Sequence, residues 1–136
     1  MPYDDVEAHV QLSTTVKTRI ATGQSMTTHH EIQPLLERGA VDVVQTDVAR
    51  VGGVTEWWRI AHLAEAAGAT LAPHFLAELH VGLVAASPVG SWVENTPWLS
   101  AILADPPQIK DGELFIPDAP GHGLALLPGA DKWRIA

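Results

Sequence analysis

The sequence predicts an α/β fold with parallel strands, and three observations carry that prediction. Short apolar runs, RIATG at 19–23, VDVVQ at 41–45 and TLAP at 70–73, alternate with longer stretches whose apolar residues recur at helical spacing. The run at 41–45 is β-branched and almost continuously hydrophobic, as a strand buried on both faces should be. Polar side chains stand after the successive runs at Gln24, Asp47, His74 and Glu94, spaced by 23, 27 and 20 residues. Each interval holds one helix and a return strand, and right-handed crossovers make strands joined that way parallel.

The elements follow in order. Pro2, Asp4 and Asp5 suit a loop entering a helix over 6–12. This opening reads like the middle of a protein, so a truncated start is expected. RIATG is the first strand. HEIQPLLERGA at 30–40 places Ile32, Leu35 and Leu36 on one helical face, with Pro34 near a first turn and Gly39 as the residue that ends the helix. After the strand at 41–45 and the RVGG loop, residues 54–68 put Trp57, Ile60, Ala61 and Ala64 on one stripe, with Gly68 as terminator. TLAP then runs into His74, residues 76–87 read as a helix, and 91–94 as a brief final strand. From Pro97 the periodicity stops, and a Pro- and Gly-rich tail follows with one turn at 110–112 before the apolar LFI. The expected organisation is one unit over 1–96 and a tail over 97–136.

Composition bounds the function. With 46% hydrophobic and 18% charged residues the chain is globular, and no stretch approaches the roughly 20 apolar residues of a membrane span. Eight Lys and Arg against 16 Asp and Glu give a net charge of −8, which opposes binding to nucleic acid or anionic lipid. Cysteine is absent, which removes disulfides, thiolate catalysis and Cys-ligated metals. The acidic first residues carry no secretory signal, and a cytoplasmic location is expected.

If the strands are parallel, Gln24, Asp47, His74 and Glu94 share the rim at their C-terminal ends, where such folds collect ligands and catalytic groups. The plain alternatives are a strand-end histidine satisfied by hydrogen bonds, a turn carboxylate at Asp47 and a solvated Glu94.

These residues also carry a resemblance. ATGQS at 21–25, VDVVQTDVARVGGVTEWWRIAHLAEAAG at 41–68, APHF at 72–75, ELHVGLVAA at 78–86 and WVE ending at Glu94 resemble the C-terminal portion of the enolase superfamily. The branch is that of mandelate racemase and muconate lactonizing enzyme, and APHF, ELH, PWL and DGELFIPDAPGHGL look most like its acid-sugar dehydratases, such as those acting on galactarate or talarate. The resemblance implies the last four β/α units of a (β/α)7β TIM barrel, a tail that packs on a capping domain, magnesium as cofactor, and a sugar acid or other carboxylate as substrate. It implies that Asp47 orients His74, which serves as base or acid, and that Glu94, protonated, hydrogen-bonds the substrate carboxylate as an enediolate forms. An Asp47 hydrogen bond would fix the imidazole tautomer and favour the charged ring. A His or Lys base working beside magnesium is the pattern such enediolate chemistry uses across the superfamily.

Two departures stand out. Gln24 replaces the usual metal-binding glutamate and supplies no charge to a hard cation. Thr46 replaces a common proline, a change expected to be minor. The resemblance also implies two further metal carboxylates and a lysine acid/base on strands preceding this sequence. Lys17, Lys110 and Lys132 do not stand in a lysine-x-lysine strand end. The chain is therefore expected to be inactive alone and to pair with itself or with a complementary N-terminal part. A non-catalytic interaction module and one part of a split racemase- or cycloisomerase-type enzyme are the alternatives. His29 and His30 are read as solvated, His62 and His80 as packing or surface residues, Trp57 and Trp58 as helix packing, and Trp98 and Trp133 as tail anchors.

Overall fold

A computed structural model describes residues 1–115 and 118–135. Ile116, part of the LFI run, lies outside the described residues. Helix α1 (Val6–Thr15) starts where the Asp5 carboxylate accepts the Ala8 amide and runs past the expected end at 12, its last turn closed by the Val16 amide on the Leu12 carbonyl. Three short strands follow, β1 (Ala21–Thr22), β2 (Val43–Val44) and β3 (Thr70–Leu71), in one parallel sheet of order β1-β2-β3. Their crossovers are helices α2 (His29–Glu37) and α3 (Val54–Ala67), and helix α4 (Ala77–Ala86) comes after β3. The α/β class with parallel strands is as expected, and no barrel closes among the described residues.

The helices form where apolar spacing and end signals agree. In α2, Glu31 reaches back to accept the Thr27 and Thr28 amides, closing the first turn. The amides of Gly39 and Ala40 return to Leu36 and Leu35 and close the last. Pro34 is the sixth residue of α2 rather than part of its first turn, because the helix starts at His29. The carbonyl its missing N–H leaves unpaired belongs to exposed His30. Ile32, Leu35 and Leu36 of α2 meet Trp57, Ile60, Ala61 and Ala64 of α3, and Val44 and Leu71 of the sheet complete that core.

Only the helix-facing side of the sheet is fully covered. Val44 is buried, whereas its neighbour Val43 is half-buried, so β2 does not have the two buried faces its sequence predicts. At the strands' N-terminal ends, the Asp42 carboxylate accepts the Ile20 amide at 2.7 Å, and Arg19 donates to the Asp42 carbonyl and Thr70 hydroxyl. That lattice sets the register from which the opposite rim follows.

The expected strand at 91–94 does not form. The chain makes a single parallel bridge, Gly90 to Leu71, flanked by Leu71 N–H to Val89 and Ser91 N–H to Leu71, then runs on without a ladder. A Cβ on Gly90 would stand 2.2 Å from the Val84 carbonyl oxygen, so this close approach to α4 admits only glycine. The tail is more ordered than its composition suggests. Strands β4 (Gln108–Lys110) and β5 (Glu113–Phe115) pair antiparallel around the predicted turn, whose Asp111-Gly112 pair is the usual two-residue hairpin loop. No helix among the described residues is long and apolar enough to cross a membrane.

Candidate active site

Register places the first pair. Val43 faces Thr70 and Val44 faces Leu71, an offset of 27, and the ladder continues as Ala72 N–H to Val44 and His74 N–H to Thr46. Asp47 and His74 stand at that same offset, so they sit level on strands that lie about 4.8 Å apart. Their side chains meet, with His74 Nδ1 3.2 Å from Asp47 Oδ2. The other carboxylate oxygen accepts the Ala49 amide at 2.9 Å, which pins Asp47 from behind. Asp47 is buried and His74 is about a third exposed. With Nδ1–H donated to Asp47, the outward Nε2 is the atom free to exchange a proton with a bound molecule.

The second neighbour is Glu94. The Gly90–Leu71 bridge has an offset of 19, which sets Glu94 level with Phe75, and the Phe75 amide donates to Glu94 Oε2 at 2.7 Å. Among the described residues Oε1 has no partner, which leaves it open to a ligand or a proton. Phe75 and Leu76 both have left-handed backbone, φ +57° and +38°, strain on the order of 1–3 kcal/mol each for side-chain-bearing residues. The Glu94 bond helps hold this turn directly after His74. Trp98 packs its ring edge-on against Phe75, with centroids 4.7 Å apart, so the tail does anchor here.

Gln24 is not drawn into this group. The β1–β2 offset is 22, which sets Gln24 level with Thr46, one residue short of Asp47. Gly23 turns the chain there at φ +127°, and a Cβ on it would lie 3.3 Å from the Gln45 nitrogen. Gln24 is exposed and makes no side-chain hydrogen bond among the described residues. Both oxygens of Asp47 are already engaged, and no three His, Cys, Asp or Glu side chains come together among the described residues. One neutral amide oxygen does not fit the oxygen cage that magnesium needs, so these residues alone do not form a magnesium site.

Two features escaped the sequence. His80, read as packing or surface, is fully buried, and its ring nitrogens contact the Val48 amide and the Phe75 carbonyl. Nothing in its spacing signals this, since the contacts depend on where two loops turn. His29, read as solvated, donates its amide and turns its ring to Glu56 of α3. The His29 amide first, then its ring and Arg59, hold the Glu56 carboxyl down at about 2. His62 is a surface residue, and Trp57 is core, as expected.

The family described as Enolase C-terminal domain-like matches residues 1–130. The chain belongs to that family. L-talarate/galactarate dehydratase of Salmonella typhimurium is 39% identical over 129 residues, covering 95% of this chain and 32% of that protein. Among solved members, L-talarate dehydratase from Polaromonas, complexed with Mg and L-glucarate, superposes with a TM-score of 0.91 at 41% identity, over 98% of this chain and 37% of that one. The Salmonella typhimurium enzyme liganded with Mg and L-lyxarohydroxamate gives 0.92 at 38%, over 98% and 34%. This enolase-type chain thus spans about a third of the length of the relatives it matches, and it corresponds to the C-terminal part of a TIM barrel.

Proposed function

We propose that the chain is the His–Asp side of an acid-sugar dehydratase site. The observation that carries this reading is the in-register contact of His74 and Asp47, one residue level from Glu94, in a family whose similar members are such dehydratases. The reaction removes the proton alpha to a carboxylate and expels the beta hydroxyl as water. His74 Nε2 exchanges a proton with the substrate, while Asp47 holds Nδ1–H and steadies the imidazolium. Glu94, carrying a proton on Oε1, donates to the carboxylate oxygen on which charge develops, and electrostatic help of that kind is usually the largest single contribution. Magnesium belongs to the proposed complete site as a group held by carboxylates other than those described here. Residues 1–96 act as the barrel unit, and 97–136 as a tail that packs on a capping domain.

A partner polypeptide is part of this reading. Glu78 is buried with neither carboxylate oxygen paired among the described residues, beside a cavity of about 230 Å³ also lined by Asn95, Pro97 and Ser100. A buried charge calls for a donor, and a Lys or Arg from a complementary N-terminal part would supply it. The test joins or mixes this chain with the N-terminal two-thirds of a talarate/galactarate dehydratase and assays sugar acids with magnesium. Turnover is expected, with His74→Asn lowering it by about 10²-fold or more. Turnover that survives His74→Asn refutes the assignment.

A further inference from the structure

We propose that His80 is the positioning residue of this site, a neutral imidazole clamp that ties the loop after Asp47 to the loop after His74. The inference deepens the reading of Asp47 and His74 as the working pair and rests on it. Val48 and Phe75 each follow one member of that pair, and His80 touches both. The Val48 amide donates to His80 Nε2 at 3.0 Å, and His80 Nδ1 lies 2.7 Å from the Phe75 carbonyl oxygen. A nitrogen that accepts an N–H carries no proton, and one that faces a carbonyl must carry one. The two partners therefore assign the Nδ1–H tautomer, and an imidazolium would set N–H against the N–H of Val48.

Burial agrees with that assignment, since removal from water pushes the His80 ring below its ordinary range against the opposing pull of the Phe75 carbonyl and of Asp47. The ring is fully buried near Trp57, whereas that of His74 is about a third exposed. Its effect passes through backbone. The peptide groups on either side of Phe75 are both held, the N–H by Glu94 and the carbonyl by His80, so the left-handed turn at Phe75 and Leu76 stays closed under His74. The Val48 bond fixes the start of the opposite loop, where the Ala49 amide already grips Asp47. A rigid five-membered ring with donor and acceptor at opposite positions spans the two loops, whereas a phenyl ring of similar shape spans them with no bond.

The test is NMR on the chain itself. Ring-nitrogen shifts should show His80 with Nδ1 protonated and Nε2 bare at neutral pH. His80→Phe should stay folded, judged by the dispersion of amide signals, yet speed exchange of the His74 Nδ1 proton and the Val48 amide by about tenfold, as the loss of one hydrogen bond predicts. Asp47→Asn should perturb His74 and leave the His80 tautomer unchanged. An Nε2–H or doubly protonated His80 overturns the clamp, and so does a folded His80→Phe chain with unchanged exchange. If His80→Phe does not fold, the tautomer decides alone. None of these readouts needs turnover, so failure of the dehydratase reading in the complementation assay is distinguishable from failure of the clamp.

Discussion

Replacing Gly90 with alanine tests how Glu94 is placed. A Cβ there would lie 2.2 Å from the Val84 carbonyl oxygen, 2.8 Å from Val84 Cγ1 and 2.9 Å from the Val84 carbonyl carbon. Even weak carbon-to-oxygen contacts begin near about 3.3 Å, so backbone on one side must move by roughly 1 Å. The last turn of α4 is held by Ser87 N–H to Val84 O, while the Gly90 segment is held by Leu71 N–H to Val89 and Ser91 N–H to Leu71. Loss of those two bonds costs about 1 kcal/mol each, and the overpacking that remains costs about 1–3. The expected destabilisation is about 3–5 kcal/mol, a large part of the roughly 7–20 kcal/mol usual for a domain of this length. Urea unfolding at neutral pH reads the total, and hydrogen exchange at the amides of Leu71, Ser91 and Phe75 reads the place. The Phe75 amide should lose protection because Glu94 is carried by the displaced segment. A Gly90→Ala chain within about 0.5 kcal/mol of the parent, with those three amides still protected, would refute the packing argument.

Two further expectations follow from side chains around the site. Thr46→Val should raise stability by about 1–2 kcal/mol, because the Thr46 hydroxyl is buried with no partner among the described residues while its carbonyl still accepts the His74 amide; a loss in the same urea experiment would show that the hydroxyl is paired. The Glu56 carboxyl, held near 2 against an ordinary 4.5, stabilises the fold fully above about pH 4.5 and progressively less as pH falls toward 2. Glu56→Gln should therefore flatten the acid limb of stability in that window, and a limb of unchanged steepness in urea midpoints would place the sensitivity elsewhere.

The alternation of parallel strands with helices and the helix stripes were legible because they depend on local patterns, while the pairing of Asp47 with His74 was implied by the family resemblance and favoured by its interval. A parallel sheet converts sequence interval into register, so 27 residues between two polar side chains became one contact once β2 and β3 paired with the same offset. Gln24 shows the limit of that logic, because the interval does not reveal that β1 pairs with an offset of 22 and that Gly23 then turns the chain. The strand expected at 91–94 failed for a related reason. The pattern SWVE suits a strand, yet the next ladder bond beyond Gly90 would run from the N–H of residue 73 to Ser91, and Pro73 has none to give. The half-buried Val43 was likewise invisible, since an apolar run does not say what covers its second face.

The left-handed turn at Phe75 and Leu76 explains how Glu94 reaches the backbone next to His74 without a fourth strand. A regular ladder past Leu71 would consume the Phe75 amide in sheet pairing. Because the chain departs from the sheet there, that amide is free to meet the Glu94 carboxylate, and the Phe75 carbonyl is free to meet His80. Strain in two residues thus exchanges sheet hydrogen bonds for bonds to side chains, and each of those side chains comes from a different later segment of the chain. Local backbone preference opposes this turn, so its geometry depends on α4 and the Gly90 segment being in place. The dyad is set by sheet register, but the surroundings that complete it arise only once tertiary packing is formed, which is why the former was written in spacing and the latter was not.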